Sequence, residues 1–168
     1  MASKGPRKTG GFDLSQAPSH LLRRCVQHAN DLFSREPGSR ELTRQQFIVL
    51  AAAEQNDGVS QTDLVNITGI DRSTLAEMIR RMIERGVLGR ERTESDQRAN
   101  AVHISPQGRK ALKSARAAND RVEKALVSAL SAADRTKLAR MLGAIVAKAE
   151  AEEVAAPVRR RRRARRKR

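Results

Sequence analysis

The stretch Asp71-Arg72-Ser73-Thr74, followed by Ala76, Glu77, Arg80 and Arg81, puts hydroxyls, guanidinium groups and carboxylates within about three turns of one predicted helix. The chemistry this allows is recognition rather than catalysis. Guanidinium groups fork onto phosphates and guanine edges, and short side chains such as Ser73, Thr74 and Ala76 let a helix approach bases closely. Elsewhere the reactive groups are sparse. No Ser/His/Asp arrangement, glycine-rich phosphate loop or paired-carboxylate motif occurs in the sequence, so an enzyme is not expected. His20, Cys25 and His28 fall on one predicted helix, short of the three or four supported ligands that a metal site requires. No metal or cofactor is expected. Cys25 lies on an apolar stripe, where a packed, inert thiol is the expectation. Arg23 and Arg24 would lower its pKa if they pointed inward, which leaves a thiol-based redox regulator as an alternative.

The elements that must position these groups can be read from periodicity and punctuation. Residues 1–14 are rich in Gly and Lys and read as a flexible arm. Leu21, Leu22, Cys25, Val26, Ala29, Leu32 and Phe33 recur at helical spacing before "EPGSR" breaks the chain. Thr43 with Gln46 forms a capping-box pattern that opens a second helix. Ser60 opens a short third helix that stops at Gly69, and Asp71 caps the helix carrying the polar cluster. On that helix Leu75, Met78, Ile79, Met82 and Ile83 share one face, which is expected to be buried. "VLGRER" and "NAVHIS" read as the strands of a hairpin with a polar loop between them. Ser105-Pro106 opens a long Ala-rich helix to about Leu130, and Ser131 opens a last helix with Leu138, Met141, Leu142, Ile145 and Val146.

A short helix, a tight turn, a second helix and a basic hairpin make a winged helix-turn-helix. Its second helix enters the DNA major groove and its wing lies by the minor groove. The fold class expected is mainly α with a small β-hairpin wing. The winged helix-turn-helix spans 41–107, flanked by a helical dimerisation region, 15–40 and 108–152, with an Arg-rich tail at 155–168.

Charge agrees with a nucleic-acid partner. The formal net charge is +15, and nine of the last ten residues, "RRRRRARRKR", are basic; without them 25 basic residues face 19 acidic ones. A block of like charge does not pack and favours nonspecific contact with phosphates. With three Phe and no Trp or Tyr, base stacking on RNA is disfavoured. One cysteine forms no internal disulfide, no apolar run reaches the length of a membrane span, and the N-terminal region lacks the apolar core of a signal peptide. A cytoplasmic protein without a membrane partner is expected. A nucleoid-type architectural DNA binder, needing no ligand, is the rival that the charge alone permits.

Four segments together, "LTRQQFIVLAAAE", "VSQTDLVNITGIDRSTLAEMIRRMIERGVLGRE", the "DQR" of the hairpin loop and "ISPQGRKAL", resemble the MarR family of bacterial transcriptional regulators. The resemblance covers roughly Leu42 to Leu112. It implies a homodimer interlocked through its terminal helices on a double-stranded, pseudo-palindromic operator. It implies repression relieved by a small aromatic or carboxylic effector, or by oxidation of a cysteine. By position, Arg72, Ser73 and Thr74 match the start of the family's recognition helix, and Asp96 and Arg98 its wing-tip pair. Arg90, Arg92 and Arg109 would contact phosphates. An arginine in the narrow minor groove meets concentrated negative potential, and a neighbouring carboxylate can fix its rotamer. The peroxide-sensing branch uses tyrosines near its thiol, and this chain has none. Arg24, His28 and Gln46, polar groups beside apolar stripes, are the candidates to orient an effector where the first helix meets the second.

Overall fold

The computed structural model describes residues 12–91 and 101–155. Six α-helices and three short strands follow one another as α1 (Pro18–Arg35), α2 (Arg44–Gln55), β1 (Val59–Ser60), α3 (Gln61–Thr68), α4 (Arg72–Glu84), β2 (Leu88–Glu91), β3 (Ala101–Ile104), α5 (Pro106–Leu126) and α6 (Ala132–Ala155). The fold class is the expected one.

The helix starts follow from local hydrogen bonding. At α2 the Gln46 amide donates to the Thr43 hydroxyl at 3.2 Å, and the Thr43 amide donates to Gln46 Oε1 at 3.0 Å, a complete capping box. Ser60 Oγ accepts from the Asp63 amide at 3.1 Å and Asp71 Oδ1 from the Thr74 amide at 3.0 Å, so α3 and α4 each begin on a side-chain cap. Gly69, at φ +66°, ends α3 in the left-handed region and lets the chain turn into α4 within three residues.

The sheet departs from the hairpin read from sequence. Its order is β1-β3-β2, all antiparallel, with Val102 opposite both Val59 and Arg90. Two residues of β1 are too few to carry an alternating pattern, which is why periodicity does not reveal them. Pairing β1 to β3 ties the hairpin to the residue that caps α3.

One apolar core runs beneath the helix-turn-helix. Leu50, Leu64, Leu75, Ile79, Met82, Val102 and Leu112 are among its fully buried members, and Phe33 of α1 reaches it beside Phe47, ring centroids 5.9 Å apart. The stripe of α4 is buried as expected at Leu75, Ile79 and Met82, with Met78 and Ile83 packed at its margin. The stripe of α1 is not. It buries Ala29 and Phe33, while Leu21, Leu22, Cys25 and Val26 are exposed. A packed Cys25 thiol is therefore corrected: among the described residues that half of α1 is exposed.

The described chain divides after Leu126 into two compact units. The second holds α6. The Arg135 guanidinium donates to the carbonyls of Val127 and Leu130 at 3.1 and 3.0 Å, fixing the turn that starts the helix. Leu138, Met141, Ile145 and Val146 are exposed. No helix among the described residues is long and apolar enough to cross a membrane.

Candidate nucleic-acid interface

The α4 helix is anchored at both ends and along one side. At its start Asp71 takes the Thr74 amide and, at 2.7 Å, the Ser73 hydroxyl. Hydrogen bonds from Thr74, then from Ser73, hold the Asp71 carboxyl down at about 2. At its end Gly86, φ +71°, turns the chain toward β2, and the Arg85 guanidinium donates to the Glu41 carbonyl at 2.7 Å. With Leu75, Ile79 and Met82 in the core, the opposite face is left to solvent. Arg72, Ser73, Thr74, Glu77, Arg80 and Arg81 are all exposed there, and Ala76 is half-buried. The sequence-predicted reading face is thus assembled on one rigid helix.

Two of its arginines are already engaged. Arg80 contacts Glu77 at 2.6 and 2.9 Å and also pairs with Glu84; Arg81 Nε lies 2.7 Å from Glu77 Oε1. Hydrogen bonds from Arg80, then Arg81, lower the Glu77 carboxyl to about 2. Its partner Arg80 is correspondingly held above the ordinary guanidinium value, Glu77 being the main cause. A depressed carboxylate pKa means that the pairing is intact above about pH 4.5 and fails only as pH falls toward 2.

The wing is described in part. Arg90, on β2, and Arg109, in the first turn of α5, are exposed. Arg92, Asp96 and Arg98 lie outside the described residues. At the base of the sheet His103 Nδ1 is 3.0 Å from Asp57 Oδ1, and hydrogen bonding to His103 is the main reason that the Asp57 carboxyl sits below its usual range. Ser105 Oγ donates to the Gly86 carbonyl at 2.6 Å and accepts from the Gly108 amide at 3.0 Å, joining the end of α4 to the start of α5.

A second feature lies where α1 approaches the start of α2. A cavity of about 370 Å³ is lined by Asn30, Phe33, Ser39, Leu42, Arg40 and Arg44 among others. Arg44 Nη2 pairs with Glu123 Oε1 at 2.6 Å, while its buried Nε has no partner among the described residues. Arg24 and His28 are exposed on α1 and do not line this cavity, and Gln46 is occupied by the capping box. The candidates named from sequence are therefore not its lining. Arg40 and Arg44 line the cavity instead, brought beside α1 by the folding-back of 37–43, which no motif marks.

Comparison with known proteins agrees with this architecture. A sequence model of the MarR family matches residues 41–99. The transcriptional regulator HosA of Escherichia coli O127:H6 is 31% identical over 116 residues, 69% of this chain and 84% of HosA. The solved structure of Bordetella bronchiseptica BpsR, whose DNA binding is regulated by 6-hydroxynicotinic acid, superimposes with a TM-score of 0.72 at 27% identity, covering 81% of this chain and 97% of that one. The transcriptional repressor CouR, solved on a 23-mer DNA duplex, gives 0.67 at 29% identity over 79% and 94% of the two chains. Identity over that share of HosA, on a shared fold, establishes that the chain belongs to the MarR family of transcriptional regulators.

Proposed function

We propose that the chain is a repressor that binds a pseudo-palindromic operator as a homodimer and is released by a small anionic effector. The observation that carries DNA reading is the solvent-facing side of α4: Arg72 and the short hydroxyl residues Ser73 and Thr74 in its first turn, with Arg80 and Arg81 farther along, on a helix clamped by Asp71, Arg85 and the core. Dimer formation is supported by the uncovered apolar residues of α1 and of α6. The wing contributes through Arg98, with Asp96 fixing its rotamer. Selection of duplexes from a randomised 24-bp pool by the full chain tests the reading. An inverted repeat with half-sites about one helical turn apart is the expected product. A pool that emerges without sequence preference favours the architectural alternative. On the selected duplex, Arg98→Ala is expected to cost about 1–3 kcal/mol of specific binding with an unchanged fold. Arg90→Ala, at an exposed position of β2, should instead weaken selected and scrambled duplexes about equally. An Arg98→Ala protein that binds the selected duplex as tightly as the parent removes the wing from recognition.

The effector site proposed is the cavity beside Arg40 and Arg44. The Arg40 and Arg44 side chains line it and suit a carboxylate, the N-terminus of α2 adds positive potential, and Phe33 and Leu42 suit an aromatic ring. The acid named for BpsR, 6-hydroxynicotinic acid, is a first probe within a panel of aromatic acids. A binder found by thermal shift should release DNA, and Arg44→Met should weaken its effect by about tenfold or more, the scale of a lost charge-assisted bond. An effector that acts equally on the Arg44→Met protein places the site elsewhere.

A further inference from the structure

The α4 helix and its N-cap carry three arginines, Arg72, Arg80 and Arg81, against three acids, Asp71, Glu77 and Glu84, while Arg85 beyond them donates to the Glu41 carbonyl. In a chain of net charge +15, the element expected to enter the groove is therefore electrically balanced. Glu77 sits at the centre of that balance. It is one turn beyond Ser73 on the same exposed face, and its carboxylate contacts Arg80 and Arg81 together, at 2.6–2.9 Å. Glu84 takes a further contact from Arg80.

Taking α4 as the reading helix, we propose that Glu77 is a specificity-determining residue: by holding Arg80 and Arg81 in intrahelical pairs, it suppresses sequence-independent binding to phosphates. Nonspecific binding is composed almost wholly of cation–phosphate contacts, and the protein shifts along the duplex to collect them. In the specific complex the first turn of α4 fixes the register through base edges, so free arginines have less room to seek phosphates. Releasing Arg80 and Arg81 therefore benefits the wrong sequences more than the right one. Exposed ion pairs are weak one at a time. Here one carboxylate binds two arginines, so freeing both from it at once breaks both pairs. The two arginines hold the Glu77 carboxyl below its usual range, so protonation does not release them near neutral pH.

The test is Glu77→Gln in the full chain, measured on a wild-type-selected 24-bp duplex and on a mixed-sequence 24-bp duplex between about 50 and 200 mM salt. Random-duplex affinity is expected to rise about three- to tenfold and its log–log salt slope to steepen by about one. The selected duplex should gain less, so discrimination falls. Glu84→Gln, which frees one contact of Arg80 alone, should do less. Asp120→Asn makes the same charge change at an exposed position of α5 that holds no arginine among the described residues, and controls for net charge. In an Arg80→Gln, Arg81→Gln background, Glu77→Gln should lose its effect, because it acts only through those partners. Far-UV circular dichroism checks the fold. Random-duplex affinity that is unchanged, or that rises no more than in Asp120→Asn, overturns the proposal. So does an effect that persists without the two arginines. Loss of selected-duplex binding with random binding untouched would make Glu77 a base-reading acceptor and overturn it as well. A wild-type chain that binds duplex without preference removes α4 as the reading helix, and this inference with it.

Discussion

Gly108→Ala is expected to destabilise the winged helix by about 3 kcal/mol or more, at the upper end of what overpacking costs. A Cβ at this position would lie 2.0 Å from the Val87 carbonyl oxygen and 2.9 Å from Ile104 Cγ1. The first of these neighbours is main chain. The Val87 carbonyl is itself held by the Ser105 amide at 3.2 Å, and Val87 is the buried residue that leads from α4 into β2. Relief would require α5 to back away from the sheet, breaking the Ser105 contacts that join it to Gly86. For a chain of this size the melting temperature should fall by about 10 °C or more. Gly143→Ala is the comparison, since a Cβ there meets nothing within 4 Å on the helical α6. It should be neutral or stabilising by up to about 1 kcal/mol. Thermal melts of the two variants decide it. A Gly108→Ala protein that melts with the parent would mean that α5 does not lean on the wing so closely.

Val26→Glu is expected to abolish dimerisation and with it tight operator binding. Val26 is 54% exposed in the single chain, so a carboxylate there disturbs no core. Leu21 and Leu22 lie beside it on the same uncovered stripe. A glutamate in the middle of a covered apolar interface would instead be an unpaired buried charge. Two winged helices bound to one operator gain from effective concentration, and a monomer loses that gain, about 10²–10⁴-fold in affinity. Ile145→Glu on α6 should act alike, since that residue is 58% exposed. Sedimentation at micromolar concentration and titration on the selected duplex read the two effects separately. A Val26→Glu protein that remains a dimer places the interface away from this half of α1.

The caps were legible in the sequence because they are local. Thr43, Ser60 and Asp71 each act on an amide three residues ahead, and the residue types alone reveal them. The buried face of α4 was legible for the same reason, since helical spacing is a property of neighbours. The pairing of Glu77 with Arg80 and Arg81 was also available: acid and base three and four residues apart face each other on a helix. What escaped notice depends on distant parts of the chain. β1 exists because Val59 finds Val102, and Arg44 is positioned by Glu123, across 79 residues. The exposure of Cys25 is of that kind too. An apolar stripe predicts that a face needs covering, not whether the same chain supplies the cover.

The junction at Ser105 and Gly108 also has a mechanical side. Because α5 is locked to the end of α4 and to the sheet, the winged helix has little freedom to flex there. The 21 residues of α5 then form a lever about 30 Å long. A tilt of about 5° at its far end would carry α4 about 2–3 Å while every contact inside the winged helix survives, and under the proposed function that takes its first turn out of register with base edges. Displacing α4 in such a molecule needs no unfolding and no rearranged core, only a small rotation of the winged helix as one piece.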